Sequence, residues 1–113
     1  MKAAELLTAA ILDQLLTNGL AGDADHHPVV KLFTPDADAT WLISEVDPDD
    51  PDCLFGLCDL GLGSPELGYV SLAELRSVKG PLGLPIERDL HFVANRPLSA
   101  YAEQARTKGR IIA

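Results

Sequence analysis

Basic residues are scarce in this sequence. Nine Lys and Arg stand against 17 Asp and Glu in 113 residues, for a formal net charge of −8. That balance speaks against a nucleic-acid binder, which needs positive charge to meet phosphates. Cysteine is nearly absent, with only Cys53 and Cys58. Two cysteines cannot build the disulfide framework of a small secreted domain, so a reduced, cytoplasmic setting is expected. There is no apolar run of about 18 residues, hence no expected membrane span. Glu5 and Asp13 near the N-terminus argue against a signal peptide. Repeats and low-complexity tails are missing as well. With 47% hydrophobic residues the chain has the composition of a folded protein. Its length suits one core and would leave halves too small to bury one, so a single domain over residues 1–113 is expected.

The charge is unevenly placed. Residues 1–70 carry 13 acids and two bases (Lys2 and Lys31), a balance of −11, whereas residues 71–113 carry four acids and seven bases, +3. Between Lys31 and Arg76 there is no Lys or Arg at all. That stretch holds ten acids: Asp36, Asp38, Glu45, Asp47, Asp49, Asp50, Asp52, Asp59, Glu66 and Glu74. Such a stretch is either a solvated, solubilising surface or an acidic face that docks on a basic partner.

Hydrophobic periodicity predicts a helix over Ala3–Thr17, with Leu7, Ile11 and Leu15 on one stripe and Asn18-Gly19 as its stop. Strands follow at Val29–Thr34, Thr40–Val46, Leu54–Leu60 and Glu66–Val70. The Asp47–Asp52 segment, DPDDPD, is expected not to pair, because its prolines lack donors and its carboxylates repel. Ser71 and Glu74 read as a capping box opening a short helix. Ile86–Ala94 alternates like a strand, with Arg88 at the rim of its apolar face. A last helix is predicted from Pro97 to Lys108, closed by Gly109. The fold class is α+β: an antiparallel meander of about five strands, with an N-terminal helix, a short middle helix and a C-terminal helix packed on one face.

Few residues offer chemistry. Cys53 and Cys58, five apart on a strand, point to opposite faces and should stay unpaired, with Cys58 the more core-like. His26 and His27 beside Asp23 and Asp25 could form a metal site, although a capping loop is the simpler reading. His91, next to Asp89 and Glu87, would need a hydrogen-bonded partner to act as a base. DPDDPD lacks the central Gly and trailing Glu of an EF-hand. Were Lys31, Glu45, Asp59, Glu66 and Arg88 to converge on one sheet face, they would make a polar site; a salt-bridged surface is the plainer alternative.

The blocks Asp25–Phe33, Thr40–Leu42, Phe55–Gly61 (FGLCDLG), Pro65–Gly68 (PELG), Glu87–Asp89 and Pro97–Tyr101 resemble the bacterial family known as domain of unknown function 2958. The resemblance covers nearly the whole chain. It implies a small single-domain protein, often encoded on plasmids and integrating elements near conjugation or antirestriction genes. It carries no agreed activity and no catalytic residues.

The expected function is a non-enzymatic interaction module, binding a protein with a basic surface through Asp47, Asp49, Asp50, Asp52, Asp59 and Glu66. An antirestriction or anti-CRISPR role, filling a nuclease's basic channel, is one form of it. No catalytic residue, metal ligand or cofactor is assigned, and no membrane contact is expected. The alternative is a small carboxylate- and His-based hydrolase or metal-binding protein, with a small-ligand binding module as a third reading. The lopsided charge equally suits self-association of copies head to tail.

Overall fold

A computed structural model describes residues 5–22 and 24–113. Their order is α1 (Ala9–Leu20), β1 (Val30–Phe33), β2 (Thr40–Asp47), β3 (Asp50–Asp59), β4 (Glu66–Ser71), α2 (Leu72–Ser77), β5 (Glu87–Arg88) and α3 (Leu98–Lys108). The succession of elements is the expected one, and the α+β class holds. All neighbouring strands are antiparallel, in the sheet order β4-β3-β2-β1-β5.

The first helix starts later and runs further than its stripe predicts. Ala3 and Ala4 lie outside the described residues, and Glu5–Leu7 are not helical. Thr8 is the N-cap: its hydroxyl accepts from the Ile11 amide at 3.2 Å. Leu7 and Leu15 are both buried as anticipated, Leu7 from outside the helix. Asn18-Gly19 does not stop α1, because both residues serve docking. The Asn18 amide is buried and donates to the Ser44 carbonyl at 2.8 Å. A Cβ on Gly19 would lie 2.0 Å from the Val46 carbonyl oxygen, so only glycine lets α1 approach β2 this closely.

DPDDPD does contribute to the sheet, against expectation. Asp47 pairs with Asp50 across a tight turn at Pro48-Asp49, in which the Asp47 carboxylate accepts from the Asp49 amide at 2.9 Å. The donor argument survives locally: Pro51, Asp52 and Cys53 fall between the pairs Val46–Leu54 and Asp47–Asp50 and have no partner in β2. A second irregularity lies between Ile43 and Glu45, where Ser44 is the extra residue.

Both faces of the sheet are covered, which corrects the single helical layer. On one face Val30, Leu32, Trp41, Ile43, Val46 and Leu54 pack with Leu15 of α1 and Leu72 and Leu75 of α2. On the other, Leu42 and Leu57 pack with Leu98, Tyr101, Ala102 and Ala105 of α3. The buried run Trp41–Ser44 is the trace of that double cover in β2.

The strand expected over Ile86–Ala94 shrinks to Glu87–Arg88. Asp89 is the reason: after its amide bonds to the Lys31 carbonyl, its carboxylate accepts from the His91 amide at 2.9 Å and turns the chain away. Arg88 is an anchor and no rim residue, since its guanidinium donates to the Glu5 and Leu6 carbonyls at 2.6 and 3.0 Å. The last helix matches its prediction, with Pro97 as N-cap and Gly109 left-handed at φ 74°.

Candidate functional site

The six acids assigned to binding do not make one surface. Asp47, Asp49, Asp50 and Asp52 gather at the β2–β3 turn, while Asp59 ends β3 and Glu66 begins β4. Nine steps along the strand separate Asp50 from Asp59, about 30 Å at 3.3 Å per residue. At the turn, Asp49, Asp50 and Asp52 are exposed and Asp47 is half-buried. Asp47 and Asp50 oppose each other directly. Asp52 serves the fold, since its oxygens accept from the Ser71 hydroxyl at 2.6 Å and the Ala73 amide at 2.8 Å, at the start of α2. Those two bonds, with the Arg76 charge, hold its pKa below the usual carboxylate value. The Ser71 hydroxyl also accepts from the Glu74 amide, as the capping box requires. Asp52, and not the Glu74 carboxylate, supplies the second acceptor.

Asp59 is internal. At 3% exposure, one oxygen accepts from the Gly61 amide at 2.9 Å and the other from the Ile111 amide at 3.0 Å. It ties the β3–β4 turn to the segment after α3, and both its oxygens are committed to the fold. Beside it lies an open cleft of about 700 Å³, whose charged lining includes Lys31, Asp38, Asp59, Asp89 and Arg110. Lys31 is engaged there too, donating to the Ala113 main-chain oxygen at 2.9 Å and lying 3.7 Å from Asp89.

Lys31, Glu45, Asp59, Glu66 and Arg88 do not converge. Lys31 pairs with Leu42, and Asp59 with Thr40, on the α3 face; Arg88 pairs with Leu32, and Glu66 with Cys58, on the α1 face. Glu45 joins the α3 face through the Ser44 bulge. Ile43 opposes Gly56, yet Glu45, two residues on, opposes Phe55. The bulge changes the side on which Glu45 emerges. It lies where the Asn18 amide grips the Ser44 carbonyl, and the Ser44 hydroxyl donates to the Phe55 carbonyl at 3.4 Å. Phe55 in turn opposes Tyr69 of β4, with ring centroids 5.0 Å apart. Glu45, Phe55 and Tyr69 thus form one row across three strands. Sequence reasoning missed this row, because only the pairing register and the bulge assemble it.

The histidine loop caps a helix. The Asp25 carboxylate accepts from the Ser99 amide at 3.1 Å and from the Ser99 hydroxyl, and the His26 carbonyl accepts from the Leu98 amide. Asp23 lies outside the described residues. Among the described residues no three metal-ligating side chains come together. His91 is exposed in a turn. Both cysteines are free thiols, and burial pushes Cys58 up to about 11. Cys53 is also raised, by desolvation and then by Asp47, Asp50 and Asp52.

A family model described as "Protein of unknown function (DUF2958)" matches residues 6–112. The chain belongs to that family. No curated protein and no solved structure is significantly similar to this DUF2958 chain. The matched span takes in the acidic turn, the bulge and the Asp59 tie alike. In this DUF2958 member no helix among the described residues is long and apolar enough to cross a membrane.

Proposed function

We propose that the chain is a non-catalytic interaction module that docks its acidic β2–β3 turn on a basic surface of another protein. One observation carries this reading: Asp47 and Asp50 face each other across the ladder, beside Asp49, with no cation among the described residues paired to any of them. The sole ion pair among the described residues is Lys31–Asp89, remote from this turn. Like charges directly opposite are a cost to the hairpin, and a partner's positive charge recovers it. An antirestriction-type role, in which the turn enters a nuclease's DNA channel, is the most specific form of this proposal. A cytoplasmic setting and a small accessory role on mobile elements go with it.

The test is affinity capture with the wild-type chain, followed by titration of the purified partner. Neutralising Asp47, Asp49 and Asp50 together to asparagine should weaken the complex about tenfold or more. Raising salt from about 0.1 to about 1 M, which shortens the screening length from roughly 10 to 3 Å, should weaken the wild-type complex similarly. An affinity indifferent to both changes sinks the reading.

A further inference from the structure

The row Glu45–Phe55–Tyr69 floors a groove of about 450 Å³ on the α3 face, whose far wall is Gly19, Gly22 and Asp25. No Lys, Arg or His lines it among the described residues. Asp25 is spent on capping α3, whereas the half-buried Glu45 carboxylate has no hydrogen bond or ion pair among the described residues. Tyr69 is 70% exposed and its ring lies against the half-buried Phe55, so the two present one aromatic surface to solvent. The row ends on β4, the outermost strand, and the outer side of Glu66–Val70 makes no backbone hydrogen bond among the described residues. The opposite edge, β5, offers only two residues. β4 contains no Lys and no Pro to discourage pairing, and nothing lies within 4 Å of the place where a Gly68 Cβ would stand.

We infer that β4 accepts an extended segment of a partner protein as a sixth strand, and that an arginine of that segment lies over Tyr69 and Phe55 with its guanidinium turned to Glu45. This deepens the proposed function, resting on its premise that the partner is a basic protein, and it locates the specificity away from the turn. Strand addition satisfies the free edge. A residue of the added strand opposite Tyr69 extends the row by one position, about 14 Å from Glu45 at about 4.8 Å per strand. The arginine stem and the Glu45 side chain, reaching toward each other over the rings, cover most of that gap. Arginine fits better than lysine because its planar head both stacks on an aromatic face and pairs two-pronged with a carboxylate.

The probe is a short blocked peptide of alternating arginine and valine, titrated into the full chain while backbone amide resonances are followed. Shifts concentrated at Leu67–Val70 and Phe55 are expected. Tyr69→Ala should weaken binding about fivefold and Tyr69→Phe should restore it. Glu45→Gln should weaken it about threefold. The same peptide with alternate amides N-methylated, and a glutamate-for-arginine peptide, should not bind. Equal affinity for a lysine–valine peptide overturns the guanidinium assignment. Binding that survives N-methylation overturns strand addition, and the absence of any shift in β4 overturns the inference as a whole. The asparagine variant at Asp47, Asp49 and Asp50 should keep the peptide within about twofold. If that variant loses the peptide while Tyr69→Ala keeps it, the groove falls and the turn stands. If the purified partner ignores the turn variant but loses affinity with Tyr69→Ala, the turn falls and the groove stands.

Discussion

The two ends of β3 put the same side chain to opposite uses. At the β2–β3 turn, Asp50 is exposed and faces another aspartate, while at the far end Asp59 is buried with both oxygens held by backbone amides. A formal charge of −8 counts them alike. Only the first kind projects a field outward, and only the second is needed for the chain to close on itself. Acidity in the sequence therefore overstates the acidic surface by any carboxylate that acts as an internal strut, as Asp59 does.

That contrast breaks most readily at Asp59. Asp59→Ala removes the charged acceptor of the part-buried Gly61 and Ile111 amide bonds, and at about 1.5 kcal/mol each the expected loss is about 3 kcal/mol in urea unfolding. A loss below about 1 kcal/mol would mean that the tie is dispensable. Next comes Gly61, at φ 79° with a would-be Cβ 2.9 Å from the Asp38 Cβ. Gly61→Ala should cost about 1–2 kcal/mol by the same assay.

Asp52 stands between the two kinds, being exposed yet bonded. Its folded-state pKa is lowered, first by the Ser71 hydroxyl and then by the Ala73 amide. Its stabilisation is thus complete above the ordinary carboxylate range and disappears as pH falls through the lowered value. Asp52→Asn should lower the melting temperature near neutrality, and the gap from wild type should close in strong acid. A gap independent of pH would refute the charged cap. The smallest effect on stability belongs to the turn. Converting Asp47, Asp49 and Asp50 to asparagine should change unfolding free energy by no more than about 0.5 kcal/mol, with relief of the Asp47–Asp50 repulsion favouring an increase.

Much of this fold was legible residue by residue. The Pro35, Pro48 and Gly61 just beyond β1, β2 and β3, the Ser71 cap and the Pro97–Gly109 bracket all act locally, so their signals reside in adjacent residues. What escaped depends on contacts between distant segments. Gly19 reads as a stop until β2 is found 2.0 Å from its missing Cβ. Asp59 reads as a surface acid until Ile111 returns to it. Ile86–Ala94 alternates well, yet the Asp89 carboxylate takes the His91 amide and ends the strand after two residues. The acidic turn was visible as composition, whereas the Glu45–Phe55–Tyr69 row needed a register that no single segment encodes.

The extra residue at Ser44 gives β2 two phases. Before it, Trp41 and Ile43 send their side chains to the α1 layer on odd positions; beyond it, Val46 reaches that same layer from an even one. Closing the bulge with every residue kept would restore strict alternation and force a choice, since either Val46 leaves the core or Glu45 enters it. Substitutions along this strand can be absorbed one side chain at a time, but the extra residue can be neither straightened out nor moved along the strand without turning side chains over. The order of faces along β2 is thus set by where the bulge sits rather than by the length of the strand.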